Sequence, residues 1–246
     1  MLAAAKALAF RGHDVWVGSR AGGDLESACA DVGLPYLELR LRDPGDLATV
    51  LKMRSHLRRH GTDSVHVHKG GPHGVALVAS AGLGRRPRLV INRGVTFPLD
   101  MFNKWKYRHP RVGSVICVAD AVREIVIRSG GLLPESVHTI RAGTDTDFFD
   151  PRLADGSKVR HELGVDTHHV VVGQVSVRNW KGWSDLMAAF ALAAARYPAA
   201  RLLLVGCEPE VERTKVETTA RAFDLEGRVI TLPFRTDMPE VLAACN

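Results

Sequence analysis

Residues 170–206 read VVVGQVSVRNWKGWSDLMAAFALAAARYPAARLLLVG. A β-branched apolar run leads through a polar link holding Gly182 into apolar residues at helical spacing, then to the breaker Pro198 and a second apolar run ending at Gly206. Both apolar runs are continuous rather than alternating, as strands covered on two faces require. Strand, helix and strand in so short a span form a βαβ unit, and a parallel sheet is expected.

The same alternation extends both ways. The unit itself reads as strand His169–Val175, helix Trp183–Tyr197 and strand Ala200–Val205, followed by a helix over 209–222, a strand at Val229–Leu232 and a helix over 237–244. Upstream, strands are expected at Asp14–Gly18, Tyr36–Leu39, Ser64–Val67, Leu89–Asn92, Ser114–Val118 and Val137–Ile140, with helices near 24–31, 46–59, 72–82, 100–108 and 119–130. The opening MLAAAKALAF predicts an amphipathic helix closed by a left-handed Gly12. Between the two runs, RAGTDTDFFDP at 141–151 follows neither period and is rich in turn formers, which places a domain boundary there. The chain therefore reads as α/β, with one domain over 1–150 and a second over 151–246. Both ends read as cut: the chain opens inside the helix that normally follows a first strand and tight loop, and it stops at a helix end with no strand after it.

Composition narrows the function. With 246 residues, 46% hydrophobic and 24% charged, disorder, collagen and coiled coil are excluded. No run reaches the roughly 18 apolar residues of a membrane span. The balance of 33 basic against 27 acidic residues gives +6, and the whole surplus lies in residues 1–150, with 21 basic and 15 acidic against 12 and 12 in the remainder. An anionic partner on the first domain is one explanation, a solvated surface the other. Cys29, Cys117, Cys207 and Cys245 lack C-x-x-C spacing, which fits reduced thiols in a cytosolic compartment rather than a disulfide frame or zinc site. The opening residues also lack the basic start and continuous apolar centre of a signal peptide.

In open α/β sheets, ligands sit beyond the carboxyl ends of the strands. After Val175 come Ser176, Arg178, Lys181 and Gly182. An ammonium, a guanidinium and free backbone N–H groups at a helix start suit a diphosphate; ordinary loop charge is the competing reading. After Val67 come His68, Lys69, Gly70, Gly71, Pro72 and His73, a cationic turn entering a helix. His66, His68 and His73 lack a fourth ligand, so no metal is expected, and His68 at the strand's mouth is the functional candidate. The strand ending at Asn92 delivers Arg93 and Gly94 to the same edge, while Arg85, Arg86 and Arg88 before it read as solvated loop charge. FNKWKYRH at 102–109 interleaves aromatics with cations. Nucleic acid, an anionic membrane surface and a polar acceptor all fit it, as does an amphipathic helix with snorkelling side chains. Asp145, Asp147 and Asp150 lack the glycine and closing glutamate of a calcium loop, so capping and turn roles are expected.

Five blocks in register carry a resemblance. ALAFRGHDVWV at 7–17, ICVADAVREIVIRSGGLLPESVHTIRAG at 116–143, GTDTDFFDP at 143–151, the stretch 170–206 and LPFRTDMPEVLAAC at 232–245 resemble, in order and spacing, the retaining nucleotide-sugar-dependent glycosyltransferases of family 4. The resemblance implies a GT-B fold: two Rossmann-like parallel-sheet domains facing across a cleft, both incomplete in this chain. It implies that Lys181 holds the donor diphosphate, with Arg178, Gly182 and Ser176 in the same loop, and that the backbone around Arg235 and Thr236 lies near the nucleotide base. His68, Lys69, Arg93 and Gly94 would line the acceptor side.

Such chemistry turns on charge developing on a departing nucleoside diphosphate beside an oxocarbenium-like sugar. Cations and helix N-termini supply that stabilisation, so no cofactor or metal is expected and no catalytic residue is assigned. The implied partners are a nucleotide sugar and a glycan or lipid-linked acceptor of lipopolysaccharide or cell-envelope type. The implied place is the cytoplasm, peripherally on the inner face of an anionic membrane, with no nucleic acid. Three departures matter. The family's arginine five or six residues before the lysine is replaced by Val175 or Ser176, with Arg178 as the substitute; the glycine-rich loop after the first strand and a glutamate pair that contacts the donor both lie outside the chain. The 246 residues alone are therefore expected to be inactive, and a longer parent active. Two rivals stand beside this reading. A sugar-nucleotide epimerase needs an acid/base pair that the sequence does not show. A non-catalytic module for anionic glycans or nucleic acid would gather its basic residues in a stripe, whereas here they are dispersed over loops.

Overall fold

A computed structural model describes residues 1–40, 46–84, 87–208 and 210–246. Arg85 and Arg86, read above as loop charge, lie outside the described residues, as does Pro209 at the expected start of the helix over 209–222. The chain forms two compact units, Met1–Ala142 and Gly143–Asn246. The division falls near the head of the turn-rich stretch at 141–151.

The first unit runs α1 (Leu2–Phe10), β1 (Val17–Ser19), α2 (Asp24–Asp31), β2 (Tyr36–Glu38), α3 (Leu47–Arg59), β3 (Ser64–Val67), α4 (Gly70–Ala79), β4 (Arg88–Arg93), α5 (Met101–Tyr107), β5 (Val112–Cys117), α6 (Asp120–Gly130) and β6 (Val137–Thr139). Its described strands pair in parallel as β1-β2 and as β3-β4-β5-β6. Leu89, Ile91, Val115 and Cys117 on the two central strands are almost wholly buried. Helices cover them with apolar residues at helical spacing: Val50, Met53 and Leu57 from α3, Val75 and Ala79 from α4, Val122 and Val126 from α6. A smaller core gathers Ala5, Val17, Cys29 and Leu34.

Two expectations need correction. β1 starts at Val17 rather than Asp14, because Trp16 turns its ring against His56 and His60 at 4.7 and 4.8 Å between centroids instead of joining a ladder. Helix α1 forms, and Gly12 takes φ +86°, but the helix is not amphipathic. It buries only Ala5 and leaves Phe10 94% exposed. Alanine fills both faces and gives them no contrast.

The second unit runs α7 (Ser157–Glu162), β7 (Val170–Val175), a 3-10 turn at Asn179–Lys181, α8 (Trp183–Ala194), β8 (Ala200–Val205), α9 (Glu210–Ala222), β9 (Val229–Leu232) and α10 (Met238–Ala243). The sheet is parallel in the order β7-β8-β9. Central β8 explains the continuous apolar run. Leu202 and Leu204 pack with Met187, Phe190 and Val216 on one face, while Leu203 and Val205 pack with Val159, Val171 and Val241 on the other. Helix α7 was not expected; six residues burying one side chain, Val159, are too few to show a period. Arg160 fastens it, donating to the carbonyls of Ala244 (2.7 Å), Asp166 (2.5 Å) and His169 (2.7 Å).

Candidate functional site

In the second unit, the residues beyond β7 form a tightly pinned loop. The Ser176 N–H donates to the Val205 carbonyl at 2.8 Å. Ser176 itself takes φ +75°, a left-handed conformation rare outside glycine. The Gln174 amide donates to the carbonyls of Lys181 (3.2 Å) and Ser176 (3.4 Å). The 3-10 turn closes with the Lys181 N–H on the Arg178 carbonyl at 2.8 Å, and Gly182 at φ +71° redirects the chain into α8. No side chain caps α8. Its uncapped first turn, which also carries the acidic Asp185, lies beside the exposed Lys181, and uncapped N–H groups at a helix head favour an anion.

Arg178 stands apart from Lys181. Its guanidinium lies 5.5 Å from the centroid of the Trp180 ring, and the two line a pocket of about 170 Å³ with Asn179, Trp183, Glu212 and Lys215. Lys181 does not line it. Sequence reasoning missed Trp183, Glu212 and Lys215, since α9 meets this loop only in the folded unit.

Beyond β9, Arg235 is fully engaged. It makes two contacts with Asp237 at 2.8 and 2.6 Å and one with Glu162 at 2.6 Å, tying the loop to α7. These hydrogen bonds raise its pKa, and Arg235 in turn holds the Asp237 carboxyl below its usual range. The backbone here and the exposed Thr236 remain available to a ligand.

In the first unit, the carboxyl ends of β3 and β4 assemble a cationic edge. His68 is half-buried, with Nδ1 3.0 Å from Nδ2 of Asn92, so Nδ1 accepts and Nε2 carries the proton. Burial lowers its pKa, helped by His66 and the chain's amino group. Lys69 is exposed and precedes α4, which also lacks a side-chain cap. Arg93 donates to the Phe97 carbonyl at 2.5 Å, while its buried Nε has no partner. Gly94 is exposed beside it. Asn92 Oδ1 and Thr139 Oγ1, at the carboxyl ends of β4 and β6, are likewise buried without partners. Buried polar atoms of this kind are commonly satisfied by ordered water.

Two residues here take on a character that the sequence did not show. Lys106 is only 6% exposed, with its ammonium 3.5 Å from the Gly70 carbonyl and no carboxylate at ion-pair distance among the described residues. Burial lowers its pKa, against a weaker opposing pull from Asp100. His73 has no exposed surface, and neither ring nitrogen makes a hydrogen bond of good geometry. It sits edge-on to Tyr107 at 5.1 Å. Burial, then Lys106 and His109, push its pKa from 6.5 down to about 4. Folded His73 refuses a proton that the unfolded chain accepts, so the unfolded state binds more protons within that window and stability falls as pH drops through it. The shift corresponds to about 3 kcal/mol. His73→Leu is expected to flatten the acid limb of a Tm-against-pH curve, and an unchanged limb would contradict the burial of a neutral ring.

Other candidates resolve simply. His66 and His68 lie with ring centroids 5.9 Å apart, and among the described residues no three His, Cys, Asp or Glu side chains gather as a metal site. Asp145 accepts from the N–H groups of Asp147 and Phe148, and Asp150 grips Arg152, the turn roles expected for them. Among the described residues all four cysteines are free thiols, Cys29, Cys117 and Cys207 buried and Cys245 half-buried.

The sequence model of glycosyltransferase family 4 matches residues 1–148. No curated protein matches the chain. Among solved structures, a glycosyltransferase from Rickettsia africae is similar with a TM-score of 0.82 at 17% identity, over 100% of this chain and 66% of its own. HepE from Anabaena, solved in complex with UDP-glucose, gives 0.79 at 25% identity, over 99% of this chain and 68% of its own. A UDP-N-acetylglucosamine 2-epimerase from Rickettsia bellii gives 0.58 at 14% identity, over 95% and 66%. The chain thus spans about two thirds of the length of these solved chains. These likenesses show an α/β fold of parallel sheets of the GT-B kind, and the family match spans more than half of the sequence. The chain belongs to glycosyltransferase family 4.

Proposed function

We propose that the protein transfers a sugar from a nucleotide sugar to a glycan or lipid-linked acceptor of cell-envelope type, with retention of configuration. The observation that carries this reading is the uncapped head of α8 beside the exposed Lys181, with Gly182 making the turn between them. A diphosphate placed there meets an ammonium and several N–H dipoles, which grow more favourable as negative charge builds on the leaving group. Arg178 serves as a second cation from the neighbouring pocket. A UDP-sugar is the donor favoured, because HepE, of similar fold, was solved with UDP-glucose.

The acceptor is an anionic or strongly polar molecule held by His68, Lys69, Arg93 and Gly94, of which Lys69 and Gly94 are exposed. The backbone near Arg235 and Thr236 borders the nucleotide base. The reaction runs on the cytoplasmic side without a cofactor or metal. Binding, rather than turnover, is the property the 246-residue chain is expected to show. The epimerase alternative is weaker, because its structural likeness is lower.

A thermal-shift screen of UDP-, GDP- and ADP-sugars tests the reading. A ligand at 100 times its Kd stabilises the folded state by about 2.7 kcal/mol, so one nucleotide series should raise Tm in a saturable way. Stabilisation by any polyanion with steep salt dependence, and by no nucleotide sugar, would instead identify a binding module.

A further inference from the structure

Strand β7 reads VVVGQV and carries a single polar side chain, Gln174. It is half-buried, and its amide nitrogen reaches two carbonyls of the loop that follows, Ser176 at 3.4 Å and Lys181 at 3.2 Å. A carbonyl oxygen only accepts, so the amide turns its NH2 toward both, with one hydrogen available to each. Among the described residues no other side chain hydrogen-bonds to residues 176–182. The other ties are backbone. The Ser176 N–H on the Val205 carbonyl fastens the near end of the loop to β8 at 2.8 Å. The Lys181 and Gly182 N–H groups bond within the loop, to the carbonyls of Arg178 (2.8 Å) and Asn179 (3.3 Å). Among the hydrogen bonds of the described residues, Gln174 alone thus links Lys181 to the sheet.

The loop has need of that clasp. Ser176 takes φ +75°, a conformation that costs a serine free energy and persists only where the surroundings impose it. Each peptide unit is planar and trans, so holding the carbonyls of Ser176 and Lys181 also sets the directions of the Val177 and Gly182 N–H groups. The same clasp fixes the backbone of Lys181 beside the head of α8, which no side chain caps. A cation already held in place binds an anion without first losing the freedom of its loop.

We infer that Gln174 is a positioning residue for the diphosphate site: it acts on the ligand only through Lys181, by closing the two ends of the loop onto β7. This inference rests on the donor reading proposed above. It also accounts for an amide at this place in an apolar strand. A glutamate would set a carboxylate against two carbonyl oxygens, and an apolar side chain would leave both without a donor.

Calorimetric titration with UDP of the natural chain, Gln174→Met, Lys181→Ala and the double variant tests it. Methionine keeps the length of the side chain and removes its donors. Gln174→Met should weaken UDP binding about five- to tenfold. In the Lys181→Ala background the same change should cost less than about twofold, because the cation it positions is gone. Without ligand, the amide resonances of 176–182 should shift or broaden in Gln174→Met while those of β9 and α10 stay in place. Gln174→Glu, of equal length and polar, should show the same amide signature. Unchanged UDP affinity in Gln174→Met overturns the inference, and so do unmoved loop amides in both variants. An equal loss of affinity in the two backgrounds also overturns it, since a residue that merely supports the fold would act alike in both. Absence of UDP binding to the natural chain is a different result, which removes the donor reading and this inference with it.

Discussion

Lys181→Ala is expected to weaken UDP binding roughly ten- to a hundredfold, the range for losing a charged hydrogen bond to an anion. The variant should fold normally. Lys181 is exposed, and what holds its loop is backbone: its N–H on the Arg178 carbonyl at 2.8 Å and its carbonyl under the Gln174 amide at 3.2 Å. Alanine keeps both. Arg178→Ala should cost less, because its guanidinium is partly committed to the Trp180 ring and faces the pocket shared with Lys215. Isothermal titration calorimetry on the two variants gives the comparison. Equal affinity for Lys181→Ala and the natural chain would remove Lys181 from the diphosphate site.

Gly156→Ala is expected to destabilise the second unit by about 1–3 kcal/mol, at the upper end if the backbone cannot yield. A Cβ at Gly156 would stand 2.4 Å from the carbonyl carbon of Ala243 and from the Ala244 nitrogen, and 2.6 Å from the Ala243 oxygen. All three are backbone atoms at the end of α10, so no side-chain rotation relieves the clash. Conformation is not the cause: Gly156 sits at φ −78°, which alanine adopts freely. Gly143→Ala is the control, because a Cβ there meets nothing within 4 Å. Urea unfolding should show a lower midpoint for Gly156→Ala and little change for Gly143→Ala. Equal midpoints would mean that α7 does not pack against α10 as described.

The parts of the fold legible in the sequence are those where one side-chain pattern serves one environment. β3, β8 and β9 have the bounds expected from their apolar runs, and β8 shows why continuity was informative, since Leu203 and its neighbours Leu202 and Leu204 fill opposite cores. Where a pattern was absent or ambiguous, reading failed. Helix α7 holds a single buried side chain, and α1 offers alanine on every face.

The candidate site divides in the same way. Lys181 and Gly182 are local features, a cation and a turn at a helix start, and their placement follows from neighbours in sequence. Lys106 looked like one more cation in FNKWKYRH; its burial depends on α4, whose Gly70 carbonyl lies 36 positions away in sequence. At Arg235 the resemblance spoke only of backbone near the base, and only the folded unit brings Glu162 from α7 to share its side chain with Asp237. Long-range neighbours decide which charges are spent on structure and which remain for a ligand.

The central claim is that the loop after β7 and the head of α8 hold a nucleotide diphosphate. Its most direct test follows the backbone amide resonances of the 246-residue chain by NMR during titration with UDP. The account predicts saturable shifts concentrated in residues 176–184, with the amides of 68–71 in the first unit unmoved. Saturable shifts confined to the first unit, or none at millimolar UDP, would contradict it.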